Sequence, residues 1–178
     1  VPVMAIATGH SELLTSSNMS SFISMMEKQN FQVEEFDLLT EGIPENTQIL
    51  MLPTPTTDYS AEEVDKLRTY LNDTTTDVPI TLLATAYPSQ GELPNYAAFL
   101  EEWGVKVNTG VVSETDTSRM AVSDSTGILV DAESEILEDN SYNYLVSYYS
   151  APLELLFDAN NSVVTYSLWT TADTATVI

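Results

Sequence analysis

Short apolar runs separated by amphipathic stretches define the first part of the chain. Apolar runs at residues 3–7, 49–52 and 80–84, of which only the last contains a polar residue, Thr81, are typical of strands that are buried on both faces. Residues 31–36 alternate between apolar and polar positions, as a half-buried strand does, and a short strand is predicted at 105–107. Turn residues bound these runs, so the sequence predicts a series of strands in this part of the chain.

Three stretches between these runs carry apolar side chains at helical spacing, at residues 18–26, 60–71 and 93–103. Ser60 and Glu63 stand at the spacing of a capping box, in which each side chain accepts a hydrogen bond from the other residue's backbone amide. Strands that alternate with helices predict right-handed βαβ units and therefore a mostly parallel sheet. We expect an α/β fold in which helices cover both faces of this central sheet.

The C-terminal third has a different pattern. Residues 119–130 are predicted to be extended around a turn, and residues 142–157 and 163–169 are rich in Tyr, Val and Leu. These segments are expected to be strands that extend or flank the central sheet. Neither an internal repeat nor a long linker divides the chain, so we expect one domain that spans residues 1–178.

The charge of the chain is strongly negative, with 5 Lys and Arg residues against 27 Asp and Glu residues and a net charge of −22. Because proteins hold phosphates mainly with Lys and Arg, nucleic acid and anionic membrane surfaces are excluded as direct partners. The absence of cysteine excludes disulfides, thiolate metal sites and cysteine nucleophiles. The carboxylate-rich residues 114–139 lack the spacing of a calcium loop, and the fingerprints of phosphate and dinucleotide sites are absent. We therefore expect neither a metal nor a cofactor.

The loops that follow the predicted strands hold the candidate binding residues, because open α/β sheets place ligands at the carboxyl ends of their strands. The first of these loops contains His10, which is the only histidine in the sequence. A role for His10 in orienting a polar ligand competes with two structural roles, in which it caps the helix that follows or satisfies backbone carbonyls of its own loop. The candidate ligand-binding residues are Thr8, Gly9, His10 and Ser11 in the first loop, Pro53, Thr54 and Pro55 in the second, and Thr85, Tyr87 and Ser89 in the third.

An enzymatic alternative would use Ser89 and His10 as the nucleophile and base of a hydrolase or amidotransferase-like enzyme. A serine needs an adjacent base to become nucleophilic at neutral pH, and His10 is the only histidine available. Ser89 follows a proline, in a run unlike the Gly-x-Ser-x-Gly turn of hydrolases. We therefore predict no catalytic residues and a protein that is not an enzyme.

A third alternative is a purely structural interaction domain. The C-terminal part of the chain is rich in aromatic residues, which lead the cores of protein interfaces. This alternative predicts an exposed apolar patch of several hundred Å² beside the tyrosine-rich strands. The aromatic residues concerned are Tyr142, Tyr144, Tyr148, Tyr149, Tyr166 and Trp169.

Several segments of the sequence occur in the same order as in a known family. The first is Thr-Gly-His-Ser-Glu at residues 8–12, and a later one, at residues 59–71, opens with Tyr-Ser-Ala-Glu-Glu-Val. In this order the segments resemble the soluble domain of auxiliary proteins of ABC-type transport systems, the group that includes the gliding-motility-associated one. The chain departs from the family's pattern at Ser11, where glycine is common, and at residues 73–77, where a Gly-Gly turn is usual. The other segments are residues 42–50, 93–105, 108–112 and 168–173.

The resemblance implies a three-layer α/β fold, flavodoxin-like or class I glutamine amidotransferase-like, with an added C-terminal β region. It also implies a location outside the cytoplasmic membrane, with a tether to transmembrane helices in a longer protein. The implied function is that of a non-catalytic auxiliary or binding domain of an ABC-type transport system. Its strand-end loops would contact a small polar ligand or a partner subunit, and its partners would be the membrane and ATPase subunits of the transporter.

Overall fold

The computed structural model describes residues 1–73, 75, 78–132, 144–157, 159–160, 163–164 and 169–178. The chain forms two compact units. The first unit comprises Val1–Ala86 and Gln90–Tyr96, and the second comprises Tyr87–Ser89 and Ala97–Ile178. No helix in the described part of the chain has the length and apolar character that crossing a membrane requires.

The first unit is built on a four-stranded parallel sheet. The order of its strands is β2-β1-β3-β4, and every neighbouring pair is parallel. The strands and the two helices predicted for this region are confirmed. Its elements are β1 (Val3–Thr8), α1 (Ser20–Lys28), β2 (Gln32–Asp37), β3 (Thr47–Pro53), α2 (Ala61–Leu71) and β4 (Thr81–Thr85).

Apolar side chains of β1 and β3 form the centre of the first unit. Met4 and Ile6 of β1 form one buried cluster with Met51 of β3, and Met19, just before α1, completes it. Residues 3–7 are all buried, so both faces of β1 are covered, which explains their unbroken apolar run. The apolar stripe of α1 packs against the cluster through Phe22, Ile23 and Met26.

The second unit is built from antiparallel strand pairs. Strand β8 is its longest strand and pairs with β7, β9 and β13, while the other pairs are β5 with β10, β6 with β14 and β11 with β12. The elements after β4 are α3 (Pro94–Glu102), β5 (Val105–Val107), β6 (Val112–Glu114), β7 (Met120–Val122), β8 (Asp124–Ala132), β9 (Tyr144–Tyr148), β10 (Leu153–Leu155), β11 (Ala159–Asn160), β12 (Val163–Val164), β13 (Trp169–Thr170) and β14 (Ala175–Val177).

The predicted fold class, a three-layer flavodoxin-like or class I glutamine amidotransferase-like fold with a mostly parallel central sheet and helices on both faces, is wrong. Parallel pairing stops after β4, and the pairs described in the second unit are antiparallel. The strand predicted at 105–107 exists as β5, but it pairs with β10 in the antiparallel direction and does not extend the parallel sheet. A short apolar run has the same pattern in either direction, so the local sequence could not reveal this pairing.

Candidate functional site

The turn after β1 brings His10 into the interior of the first unit. Gly9 has a φ of +104°, a left-handed conformation that other residues rarely adopt. A Cβ atom at this position would lie 3.1 Å from the carboxylate oxygen Oδ1 of Asp37. Glycine therefore allows the chain to turn closely past Asp37, and the residue that follows, His10, is only 6% exposed.

The imidazole of His10 lies between two carboxylates and a tyrosine ring; we call this group the His10 cluster (His10, Glu12, Tyr59 and Glu63). Its Nε2 atom is 3.1 Å from Oε1 and 3.3 Å from Oε2 of Glu63, and its Nδ1 atom is 3.9 Å from Oε1 of Glu12. The ring centroid lies 4.1 Å from that of Tyr59. An ionised carboxylate only accepts hydrogen bonds, so the contact with Glu63 assigns a proton to Nε2.

Glu63 joins the His10 cluster to the start of α2. Its Oε2 atom accepts a 2.8 Å hydrogen bond from the backbone N–H of Ser60, and the Ser60 hydroxyl accepts one of 3.2 Å from the N–H of Glu63. The predicted capping box is therefore confirmed. One buried carboxylate both caps a helix and holds His10, and these contacts offset the cost of removing its charge from water.

Hydrogen bonds connect the loops at the carboxyl ends of the parallel strands. The backbone oxygen of His10 accepts bonds from the N–H groups of Thr56 and Thr57, each 3.0 Å long. The hydroxyl of Thr54, in the same loop after β3, lies 2.6 Å from the hydroxyl of Thr85 at the end of β4. These bonds tie the three loops together, whereas the buried His10 Nδ1 and the Tyr59 hydroxyl have no hydrogen-bond partner among the described residues.

The structure brings most of the predicted binding residues together but buries several of them. The predicted residues that belong to the first unit lie at the ends of β1, β3 and β4 and in the connected loops that follow these strands. Tyr87 and Ser89 belong to the second unit. The ring of Tyr87 lies 5.6 Å from that of Tyr149. Of the predicted residues, His10, Pro53, Thr54 and Pro55 are buried, Thr8 and Thr85 are half-buried, and Gly9, Ser11, Tyr87 and Ser89 are exposed.

The contacts of the His10 cluster in the described residues join the loop after β1 to the start of α2. In the described residues, the hydrogen bond of the His10 ring goes to a carboxylate, not to a hydroxyl that it could activate. Burial raises the pKa of the Tyr59 hydroxyl far above its ordinary value, so the phenol stays protonated at neutral pH. No group of three or more His, Cys, Asp or Glu side chains in the described residues has the arrangement of a metal site.

Sequence reasoning identified His10 and the capping box separately and missed their contact. Glu12 and Tyr59 were not candidate site residues, although Glu12 accepts a 2.9 Å hydrogen bond from the N–H of His10. The capping box is the sequence feature that could have identified Glu63 as a partner of His10. It places a carboxylate at the start of α2, directly after the loop that follows β3, and parallel neighbouring strands bring such loops together.

A second candidate site lies in the second unit, where residues 144–156 expose apolar side chains; we call these residues the apolar stretch. It comprises β9, β10 and the connection between them. Burial of one such side chain stabilises a protein by about 1.5–3 kcal/mol, so exposure of many in one stretch calls for a functional reason. Its large apolar residues are 38–65% exposed, and they are Tyr144, Leu145, Val146, Tyr148, Tyr149, Leu153, Leu155 and Leu156.

Pairing with β8 holds β9 in a regular register. The paired residues run from Gly127 opposite Tyr148 to Asp131 opposite Tyr144, without a shift. A Cβ atom at position 127 would lie 2.8 Å from the ring of Tyr148, so glycine leaves room for that ring to lie across β8. The N–H of Tyr149 continues the pairing by donating a 3.0 Å hydrogen bond to the oxygen of Thr126.

No family model matches the chain, and no curated protein matches its sequence. Its fold is similar to that of a solved structure, the mmIFT52 N-terminal domain, with a TM-score of 0.73. The match covers 97% of this chain and 74% of that chain, at 15% sequence identity. At this identity the likeness concerns the fold alone, and it replaces the flavodoxin-like or amidotransferase-like class that the sequence predicted.

Proposed function

We propose that this chain is a non-catalytic interaction domain that binds a partner protein through the apolar stretch. The observation that carries the proposal is the exposure of the large apolar side chains of β9 and β10. Tyr144, Val146 and Tyr148 lie on one face of β9, and at roughly 150–250 Å² for a large side chain their exposed parts amount to about 300 Å², within the range of patches that mark interaction sites. The tyrosines support the same proposal, because tyrosine is enriched in the cores of interfaces.

The partner that we propose is a membrane subunit of an ABC-type transport system. This part of the proposal rests on the resemblance of the sequence to auxiliary domains of such systems. A domain tethered outside the cytoplasmic membrane would present the apolar stretch to that subunit and would act in one assembly with the ATPase subunits. The net charge of −22 favours a partner surface that carries Lys and Arg around an apolar centre.

The contacts of His10 favour binding over catalysis. A general base must reach the proton of its nucleophile, but the imidazole of His10 is buried and, in the described residues, neither of its nitrogens is hydrogen-bonded to a hydroxyl. The hydrolase or amidotransferase-like alternative with Ser89 therefore has less support than an interaction domain. A polar ligand at the strand ends also has less support, because the hydroxyls of Thr54 and Thr85 are already bonded to each other.

Capture of the membrane subunits tests this proposal. The immobilised chain would be offered the purified membrane subunits encoded beside its gene, and their retention would be measured. Tyr148→Ser combined with Leu153→Ser should abolish retention, because the two substitutions remove exposed apolar area from the stretch. Leu39→Ser is the matched control, since Leu39 is 64% and Leu153 is 65% exposed, but Leu39 belongs to the first unit.

The possible results test two parts of the proposal separately, namely the binding surface and the identity of the partner. Equal retention by the Tyr148→Ser/Leu153→Ser variant and the Leu39→Ser variant would show that the apolar stretch is not the binding surface. If the unchanged chain retains no membrane subunit, the transporter partner is wrong. Loss of retention only when the apolar stretch is altered would support both parts of the proposal.

A further inference from the structure

The outer edge of β9 carries backbone groups that pair with no strand in the described part of the chain. Along an antiparallel pair, residues whose N–H and C=O groups face the partner strand alternate with residues whose groups face away. The N–H of Tyr149 donates a hydrogen bond to Thr126, so the backbone groups of Tyr149 face β8. Because the register has no shift, every second residue before Tyr149, namely Ser147 and Leu145, also faces β8. The backbone groups of Tyr144, Val146 and Tyr148 therefore point away from β8.

The sequence of β9 lacks the features that protect most sheet edges. Natural edges carry lysine, proline, a bulge or a covering element, because unpaired backbone groups are a template for another chain. Strand β9 reads Tyr-Leu-Val-Ser-Tyr, with neither charge nor proline, and its register with β8 has no bulge. Its large apolar residues are at least 44% exposed. An edge of this kind is suited to accept another strand.

We propose that β9 accepts an extended segment of the partner protein as an additional strand. This inference rests on the proposed function and adds the mode of binding. The segment forms backbone hydrogen bonds with Tyr144, Val146 and Tyr148, and its alternate side chains pack against the apolar stretch. Backbone pairing supplies affinity in this mode, and the side chains supply specificity.

The charge of the chain defines the chemistry of the segment. Asp124 lies exposed at the start of β8, the strand that pairs with β9, and the chain as a whole carries a charge of −22. Hydrogen bonds from Thr126 lower the pKa of Asp124, so this carboxylate stays ionised at neutral pH. A second copy of the chain would bring another charge of −22 and is disfavoured by repulsion. The segment that fits is therefore apolar at alternate positions and flanked by Lys or Arg.

A synthetic peptide tests strand addition. In this peptide valine and threonine alternate between two lysines at each end, and its binding is followed by fluorescence anisotropy. Val146→Pro removes an N–H group that faces away from β8, and proline is tolerated at such edge positions, so the pairing with β8 is kept. Val146→Thr is the matched control, because it keeps the N–H group and the branched shape. We expect Val146→Pro to bind the peptide about tenfold more weakly than Val146→Thr, as the loss of an interface hydrogen bond predicts.

A second measurement uses the unchanged chain with peptides N-methylated at alternate amides. Methylation of the amides that face β9 should abolish binding, whereas methylation of the other set should leave it unchanged. Equal binding by the two Val146 variants, or by the two methylated peptides, would overturn strand addition and leave docking through side chains intact. If the unchanged chain does not bind the peptide, strand addition is overturned as well. The capture of membrane subunits then decides the proposed function separately.

Discussion

Replacement of His10 by alanine should destabilise the first unit, because it leaves Glu63 buried without its ring partner. Nε2 of His10 lies 3.1 Å from Oε1 of Glu63, and the two side chains are only 7% and 4% exposed. Loss of a hydrogen bond to a charged group costs about 1.5–3 kcal/mol. Loss of the ring contact with Tyr59, at a centroid distance of 4.1 Å, costs about 0.5–1.5 kcal/mol more. We therefore expect His10→Ala to lower the free energy of unfolding by about 2–4 kcal/mol.

Urea unfolding followed by circular dichroism measures this loss, and a double-mutant cycle with Glu63→Gln assigns it to the pair. Glutamine keeps the shape of Glu63 and an oxygen that accepts the bond from Ser60, but it has no charge. Residues in contact show coupling energies of about 0.5–3 kcal/mol, so the two substitutions should not be additive. Amide hydrogen exchange in the first turn of α2 should also become faster in His10→Ala.

Two results would refute this reasoning about the His10 cluster. The first is a loss below about 0.5 kcal/mol, which is the range of ordinary surface substitutions. The second is strict additivity of His10→Ala and Glu63→Gln, because it would mean that the imidazole and the carboxylate do not stabilise each other. Either result would remove the structural role that the contacts assign to His10.

Three further predictions concern a helix cap, a turn and a buried carboxylate. Ser60→Ala should cost about 1 kcal/mol in thermal unfolding, because it removes the acceptor for the N–H of Glu63; an unchanged melting curve would contradict the cap. Gly9→Ala should cost about 1–3 kcal/mol, since its φ of +104° is strained for alanine, whereas the control Gly42→Ala has no atom within 4 Å of the new Cβ and should be nearly neutral. Burial opposes ionisation of Glu114, but hydrogen bonds from its neighbours outweigh burial and lower its pKa. The stability that the Glu114 carboxylate contributes is therefore fully present above its ordinary pKa of about 4.3, and it is lost as the pH falls through the lower pKa of the folded protein. In Glu114→Gln the free energy of unfolding should therefore change less with pH in this acidic range.

The sequence revealed those features of the first unit whose signal is local. The run at residues 3–7 is apolar without a break because both faces of β1 are buried, and this pattern is visible within a few residues. The capping box is also local, since Ser60 and Glu63 stand three residues apart and contact each other directly. Such features could be predicted because the pattern that indicates them lies within a few neighbouring residues.

Features that depend on distant partners could not be predicted in this way. His10 and Glu63 are 53 residues apart, and their contact requires β1 and β3 to be parallel neighbours. The direction of β5 depends on β10, which comes much later in the chain and carries the same apolar signal in either direction. The tyrosine-rich pattern indicated strands, but the exposure of the side chains of β9 depends on which distant segments pack against its faces.

The acidity of the chain and the open edge of β9 are physically connected. An unprotected edge favours pairing between identical chains, and no residue of β9 opposes such pairing. Repulsion between copies that each carry a charge of −22 opposes this pairing instead. Salt shortens the range of this repulsion from about 10 Å at 0.1 M to about 3 Å at 1 M. We therefore expect the chain to be monomeric at low salt and to associate with itself through β9 at high salt.

Analytical ultracentrifugation of two variants at low and high salt tests this expectation. Val146→Pro should stay monomeric at high salt, because it removes an outward N–H group of β9, whereas Val146→Thr should associate as the unchanged chain does. Association of Val146→Pro to the same extent would place the contact on other exposed apolar residues, since salt also strengthens apolar association in general. A chain that stays monomeric at high salt would mean that charge is not what keeps its copies apart, and the edge of β9 would then need a protecting element of its own.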